Sequence, residues 1–146
     1  MKATIMLADF AQVVQGKLYI MGGGWSLTGP NPSPSALAVK IEVPWTETNR
    51  DHSFKLELFD GDHHPVLVPT PEGEKPMQVG GNFQVGRPPG LLQGSSLDVP
   101  LAINLPPLPL APGKRYVWQL TVNDNQENVW EVAFSTRVTS PQPSMS

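Results

Sequence analysis

Proline is the feature that most limits how this sequence can fold. The chain has 17 prolines in 146 residues, and the long stretches without one are 1–29, 45–64 and 113–140. A proline inside a helix removes a backbone hydrogen bond and costs about 3 kcal/mol, so long helices are disfavoured elsewhere in the chain. Within the proline-free stretches, apolar residues tend to recur at every second position, which is typical of strands. The sequence therefore predicts an all-β fold.

Alternating apolar and polar residues mark the candidate strands. The clearest lies in residues 36–43, where one phase consists of branched aliphatic side chains: Leu37, Val39, Ile41 and Val43. Further apolar phases begin at Phe54, Met77, Leu97, Tyr116 and Trp130. We predict that the apolar phase of each strand faces a common core, because side chains of a strand point alternately to opposite faces.

Turn residues and prolines separate these strands. Residues that tolerate left-handed backbone occur at Gln15-Gly16 and in the segments 60–62 and 123–125, which predicts hairpins there. The proline-rich stretches 28–35, 69–76 and 86–90 are predicted to be surface loops. The connector 105–110 resembles a polyproline ligand, but we expect its leucines to pack beneath a sheet edge.

The predicted architecture is a single immunoglobulin-like antiparallel β-sandwich of about eight or nine strands. We predict that it spans residues 1–138 and that residues 139–146 form a flexible C-terminal tail. Strands that are polar on one side bury their apolar faces when two sheets stack, and a closed barrel is the alternative. A chain of this length can bury roughly two thirds of its unfolded surface without disulfides.

Charge and composition exclude several classes of function. Ten Lys and Arg residues are scattered among 13 acidic residues, so we expect no nucleic-acid partner. Apolar runs stay well below the ~20 residues of a membrane-spanning helix, and a secretory signal is not recognisable, so we expect a cytoplasmic protein without membrane contact. The chain has no cysteine, which fits a reducing compartment.

Motifs that resemble chemical sites favour structural roles. Gly22-Gly23-Gly24 is not followed by a helix signal, so we interpret it as a bent strand end rather than a phosphate loop. The segment 60–64 collects two aspartates and two histidines, which we interpret as a hairpin turn without metal. His52 is predicted to lie about 26 Å from Asp60, at the far end of the same strand.

Catalytic constellations are not apparent. A Gly-x-Ser-x-Gly elbow does not occur, and the three histidines lie on or beside one predicted hairpin. Glu72 and Glu74 fall in a predicted solvated loop, where a carboxyl group is not tuned for acid catalysis. We therefore predict no catalytic residues, no cofactor and no enzymatic activity, with an unrecognised hydrolase as the least favoured alternative.

The four tryptophans divide into two pairs. Trp118 and Trp130 fall on the apolar phase of their strands and are predicted to lie in the core. Trp25 and Trp45 adjoin a glycine and a proline at strand margins. Each either covers an open end of the sandwich or contacts a partner or ligand.

The N-terminal region departs from simple alternation. We predict that residues 4–10 form one strand whose two faces are both apolar, and that its pairing strand, residues 18–21, repeats this pattern. Either the segment 28–35 or the connector 105–110 covers the second face, or a partner does. Asp9 is expected to cap exposed N–H groups at the strand end or to pair with Lys17 near the turn. The candidate interface residues are Met6, Phe10, Tyr19, Met21, Trp25 and Trp45.

Both ends of the chain resemble a family of small bacterial proteins, common in actinobacteria, that is classed as a domain of unknown function. The likeness rests on the segments 8–11, 16–18 and 22–25, and on the closing hairpin with Pro112-Gly113-Lys114-Arg115-Tyr116-x-Trp118. Many members are expected to carry a cysteine where this chain has Ala8, so no thiol role transfers. The resemblance implies a β-sandwich and supplies no activity.

These observations favour a non-enzymatic protein-interaction or structural module, with a protein partner or a second copy of the chain. The alternative is a small-ligand or carbohydrate-binding β-sandwich that uses Trp25, Trp45 and the neighbouring loops.

Overall fold

The computed structural model describes residues 1–139, so all but the first residue of the predicted tail lies outside the described part. The described chain is all-β and contains twelve strands and one short 3-10 helix, Trp45–Glu47. The strands are β1 (Lys2–Ala8), β2 (Phe10–Val14), β3 (Lys17–Met21), β4 (Leu27–Thr28), β5 (Ser35–Val43), β6 (Asp51–Asp60), β7 (Leu67–Thr70), β8 (Gly73–Pro76), β9 (Gln78–Gln84), β10 (Leu97–Leu105), β11 (Arg115–Val122) and β12 (Val129–Thr136). Within residues 1–139 no helix is long and apolar enough to cross a membrane.

A three-stranded antiparallel sheet has β5 at its centre, between β1 and β10. The four branched aliphatic residues that alternate along β5 are all fully buried, as the sequence pattern predicts: Leu37, Val39, Ile41 and Val43. Leu7 of β1 lies opposite Leu37 and is buried with it. One face of this sheet therefore forms half of the main core.

A five-stranded sheet in the order β4-β12-β11-β6-β9 supplies the other half. Its strands pair antiparallel except β4, which runs parallel to β12. Trp118 of β11 is buried, and Trp130 packs against the same cluster from a partly buried position. Leu105 and Leu108 of the proline-rich connector also enter this cluster, as predicted. Buried side chains from both sheets thus form one core.

The number of strands exceeds the predicted eight or nine for three reasons: the predicted N-terminal strand divides into β1 and β2, the short β4 forms, and β7 and β8 form an extra hairpin. The β7–β8 hairpin occupies most of the segment predicted to be a proline-rich loop, and that prediction was wrong. Pro69 lies opposite Glu74 and Pro76 lies opposite Leu67. Counted from the two-residue turn, both are non-hydrogen-bonded positions of the hairpin, where a proline removes no ladder hydrogen bond.

The N-terminal strand is shorter than predicted. β1 ends at Ala8, and the chain turns at Asp9, whose N–H lies within hydrogen-bond distance of the carbonyl oxygens of Met21 and Gly22, each at 3.1 Å. β1 therefore pairs with β5, whereas Phe10 opens a separate strand that pairs with β3. The Gln15-Gly16 turn forms as predicted, with φ values of 50° and 73°. Both values lie in the left-handed region used by two-residue hairpin turns.

Candidate functional site: the β2–β3 hairpin

The β2–β3 hairpin lies across the outer face of the three-stranded sheet. Ala11 and Leu18 pack against alanines of that sheet, together with Met6: the contacted alanines are Ala8, Ala36, Ala38 and Ala102. Because alanine side chains are small, the hairpin backbone can approach the sheet closely. The second apolar face of β1 is therefore covered by the hairpin itself, and the expectation of a cover by segment 28–35 or connector 105–110 was wrong.

A side-chain amide fixes the hairpin to the sheet. Asn104 of β10 donates from Nδ2 to the carbonyl oxygen of Ala11 at 2.7 Å and accepts the Ala11 N–H on Oδ1 at 3.2 Å. This pair of bonds reproduces what a neighbouring strand backbone would offer. It joins residues 93 positions apart in the sequence and holds β2 in one position.

The glycine triplet forms the bend after β3. Gly22 has a φ of 60° and lies directly against the Asp9 carboxylate. A Cβ at position 23 would stand 2.6 Å from Ile20 Cγ2 and 2.9 Å from Met6 Sδ. The triplet is thus the bent strand end predicted from the sequence. The backbone N–H of Asp9 contacts the carbonyl oxygens of Met21 and Gly22 at this end, while Lys17 stands at the opposite end of β3.

The outer face of the hairpin is exposed and largely apolar. Alternation along the two strands places six side chains on it, which we call the hairpin face: Phe10, Gln12, Val14, Lys17, Tyr19 and Met21. Phe10 and Met21 lie directly opposite each other and are 44% and 66% exposed, and Tyr19 on the same face is 54% exposed. Three of the six predicted interface residues therefore meet on one surface.

The other three predicted interface residues lie elsewhere. Met6 is partly buried beneath the hairpin. Trp25 packs edge-on against Phe134, with ring centroids 6.0 Å apart, and borders a cavity that includes Ser35 at the start of β5. Trp45 follows the other end of β5 by two residues. β5, an extended strand about 26 Å long, lies between the Trp25 cavity and Trp45, so the two tryptophans do not form one aromatic platform.

Trp25 borders a small cavity between the core and the loop at residues 29–34. Its volume is about 30 Å³, and its lining includes Leu7, Thr28, Asn31, Trp118 and Phe134. The indole Nε1–H of Trp25 is buried and has no hydrogen-bond acceptor among the described residues. A cavity of this size accommodates one or two water molecules or a very small ligand.

Trp45 has a structural partner that the sequence analysis missed. The Arg87 guanidinium stacks 3.8 Å from the centroid of the Trp45 ring. The same side chain donates to Thr48 Oγ1 at 2.8 Å and to the Trp45 carbonyl oxygen at 2.7 Å. These contacts attach the loop after β9 to the 3-10 helix. Arg87 belongs to no periodic pattern in the sequence. Its stacking on Trp45 is visible only in the folded structure.

The Asp60 turn collects three potential metal ligands, with ligand atoms of Asp60, Asp62 and His64 all within 4.8 Å of one another. Asp60 Oδ1 already accepts the backbone N–H groups of Asp62 and His64, each at 2.9 Å. The His64 N–H lowers the pKa of the Asp60 carboxyl below its ordinary value, and His63 stacks on Phe59 with ring centroids 4.4 Å apart. These contacts explain the two aspartates and two histidines of segment 60–64 as residues that stabilise a hairpin turn.

His52 lies at the other end of β6 from Asp60, as predicted. Its Nε2 is 2.8 Å from the Glu47 carbonyl oxygen, and its Nδ1 is 2.9 Å from the Asn123 side-chain amide nitrogen. A neutral ring with the proton on Nε2 satisfies both contacts, since the carbonyl accepts and the amide donates. His52 is therefore a buried histidine with a structural role in the fold.

The fold and this surface define an all-β protein with an exposed apolar hairpin anchored on its smaller sheet. The chain belongs to a family described as Family of unknown function (DUF6941), whose model matches residues 3–134. The resemblance to a domain of unknown function is thereby confirmed. No curated protein and no solved structure gives a significant match.

Proposed function

We propose that the chain is a non-enzymatic protein-interaction module and that the hairpin face is its docking surface. The observation that carries this proposal is the grouping of Phe10, Tyr19 and Met21 as exposed side chains on one face of a two-stranded hairpin. Aromatic residues and methionine are enriched in protein interfaces, where they supply most of the buried apolar area. Exposed apolar clusters of this kind mark contact surfaces in monomeric proteins.

The anchoring of the hairpin supports the same proposal. Ala11 is fully buried against the sheet, and Asn104 holds its backbone from the side. A surface that is already fixed before binding loses little conformational entropy when a partner docks. The hairpin face is therefore organised for recognition without a folding step.

We propose a non-enzymatic role because the histidine and aspartate side chains that could act in catalysis have structural hydrogen-bond partners. His52 is held between two structural hydrogen-bond partners, and the Asp60 carboxylate accepts two backbone N–H groups of its own turn. Neither group lies in the Trp25 cavity. Within the described chain, these groups stabilise turns and loops.

Affinity capture from cells that naturally contain the protein tests the proposal. We compare the wild type with Met21→Glu on the hairpin face and with Leu92→Glu, a matched control in the loop between β9 and β10, where Leu92 is 80% exposed. Both variants add the same charge at an exposed apolar position. The proposal expects a partner retained by wild type and Leu92→Glu but lost with Met21→Glu. Equal capture by all three proteins contradicts it.

A small-ligand function is the second candidate, and the buried Nε1–H of Trp25 is the observation that favours it. A buried donor without an acceptor is costly, so a ligand with one acceptor oxygen and an apolar body gains a hydrogen bond there. A cavity of about 30 Å³ is too small for a sugar ring, so the ligand of this second candidate function must be a very small molecule.

Nuclear magnetic resonance with methanol as the probe tests this second candidate. Methanol offers one acceptor oxygen on a methyl group and suits a cavity of about 30 Å³. A saturable shift of the Trp25 indole N–H resonance, with the Trp130 resonance unchanged, supports binding in the cavity. An indole resonance that does not respond, or all tryptophans responding alike, rejects it.

For the fold we propose an immunoglobulin-like β-sandwich as the finer assignment. Two features support it: the three-stranded and five-stranded sheets share one buried core, and nearly all their strand pairs are antiparallel.

A further inference from the structure

β3 has an open edge at which a further strand can pair. β3 pairs with β2 on one side, and among residues 1–139 no strand pairs with its other side. In a hairpin with a two-residue turn, cross-strand pairs alternate between hydrogen-bonded and non-hydrogen-bonded, starting with the bonded pair next to the turn. The non-bonded pairs here are Val13 with Leu18 and Ala11 with Ile20. Their backbone groups point away from the hairpin.

The contacts of Ala11 agree with this assignment independently. Its N–H and carbonyl oxygen point away from β3, and both are bonded by Asn104. The N–H and carbonyl oxygen of its cross-strand neighbour Ile20 therefore point to the opposite edge of the hairpin. Among the described residues, no side chain bonds these two groups as Asn104 bonds those of Ala11. With Leu18, this makes two N–H groups and two carbonyl oxygens on an edge that is open to another strand.

We propose that a second copy of this chain pairs with β3 along this edge, antiparallel and about a two-fold axis at Tyr19. This inference goes beyond the proposed function, because the contact uses the edge of β3 and only Lys17 and Tyr19 of the hairpin face. In that register Leu18 lies opposite Ile20 of the second copy, and Ile20 lies opposite the second copy's Leu18. Four backbone hydrogen bonds form, and the two hairpins become one four-stranded sheet.

The side chains of β3 suit pairing with itself. Leu18 and Ile20 meet the second copy's Ile20 and Leu18 on the inner side, so both members of each pair are apolar. Tyr19 meets the second copy's Tyr19 on the hairpin face, and aromatic cross-strand pairs stabilise sheets. Both sides of the new strand pair are therefore compatible with a symmetric contact.

Charge complementarity favours a second copy over an unrelated strand. Lys17 begins β3, and Asp9 adjoins its other end through contacts with Met21 and Gly22. Neither side chain belongs to an ion pair within the described part of the chain. Antiparallel pairing brings Lys17 of each copy to the Asp9 end of the other. Two opposite-charge contacts then form symmetrically.

Mass measurement by light scattering during size-exclusion chromatography tests the inference. The wild type at high micromolar concentration should show twice the monomer mass of 15.9 kDa. Ile20→Pro removes an edge N–H without removing a hairpin hydrogen bond, as Pro69 and Pro76 show in β7–β8. It should give a folded monomer. The matched control Val13→Pro changes the other edge of the same hairpin and should remain a dimer.

Charge reversal provides the second arm. Lys17→Glu should weaken the dimer about tenfold, and combining it with Asp9→Lys should restore it. A wild-type monomer at all concentrations, or a dimer unaffected by Ile20→Pro, overturns the inference. If the wild type is monomeric but the capture experiment still loses a partner with Met21→Glu, the proposed function stands and only the second copy is rejected.

Discussion

The side-chain amide of Asn104 takes the place of a neighbouring strand beside Ala11. It donates to the Ala11 carbonyl oxygen and accepts the Ala11 N–H, so one residue of the sheet beneath pairs with the edge of β2 at this position. The same two bonds set the hairpin on the sheet and leave β3 as its open edge. The position of the hairpin face therefore depends on a residue outside the hairpin.

Replacing Asn104 with alanine should destabilise the protein by about 1–3 kcal/mol, because both backbone groups of the buried Ala11 lose their partners. Urea unfolding provides the measurement. Asp98→Ala is the control, since Asp98 lies on the same phase of β10 and forms an exposed ion pair with Lys40 at 3.5 Å. That change should stay within about 0.5 kcal/mol of wild type. Equal stability of the two variants would show that the Asn104 bonds do not anchor the hairpin.

Trp118→Ala should cost about 3–5 kcal/mol of unfolding free energy, since it empties a large fully enclosed site between the two sheets. Trp118 is 1% exposed and belongs to the main buried cluster. Trp130→Ala should cost less, because Trp130 is only partly buried. Thermal and urea unfolding of both variants give the comparison. A loss below about 1 kcal/mol for Trp118→Ala contradicts the assigned core.

Arg87→Lys should lower the free energy of unfolding by about 1 kcal/mol although the charge is kept. An ammonium group cannot stack flat on the Trp45 ring and at the same time donate to both Thr48 and the Trp45 carbonyl oxygen. The environment of Trp45 should change with it. Labelling with 5-fluorotryptophan resolves the four tryptophans by ¹⁹F resonance. We expect the Trp45 resonance to move most, while movement centred on Trp118 would place the effect of Arg87 elsewhere.

Asp60 should titrate below the ordinary aspartate value of 3.8, because the His64 backbone N–H stabilises its ionised form. A lowered folded-state pKa contributes stability above the unfolded value, and this stability is lost as pH falls through the folded pKa. Carboxyl ¹³C resonances followed against pH measure the midpoint. Asp60→Asn retains an acceptor oxygen without titrating, so it should remove this pH dependence. A midpoint at or above 3.8 contradicts the turn assignment.

The sequence predicts the main core well because burial on one side of a strand produces a period of two. Leu37 and Val39 are apolar for that reason, and both are fully buried in the fold. The same periodicity indicates the turn at Gln15-Gly16, where the residue types permit positive φ. Local patterns of this kind report the immediate environment of each residue.

The hairpin position was not predictable from periodicity, because it depends on a contact between distant segments. Ala36 and Ala38 look like the solvent phase of β5, yet both are buried beneath the hairpin. Their small size is the available signal, since a stripe of alanines permits close approach by another backbone. Asn104 offers no signal in sequence, because a polar residue at that position of β10 fits an exposed face equally well.

The β7–β8 hairpin shows a second limit. Proline density predicts a loop, but Pro69 and Pro76 occupy non-hydrogen-bonded positions of the hairpin. A backbone N–H at these positions would point away from the partner strand, so its absence costs no bond between the strands. Proline content alone does not distinguish a loop from a hairpin with prolines in register. The distinction requires the turn at residues 71–72, which sets the pairing.

Hydroxyl-radical footprinting of Met21 in living cells tests the docking surface most directly. Met21 is exposed on the hairpin face, whereas Met6 lies beneath the same hairpin and serves as an internal reference. Our account predicts that Met21 oxidises several-fold more slowly in cells than in dilute purified protein, with the Met6 rate unchanged. Oxidation of Met21 at the same rate, relative to Met6, in both settings would contradict the assignment of the hairpin face as a docking surface.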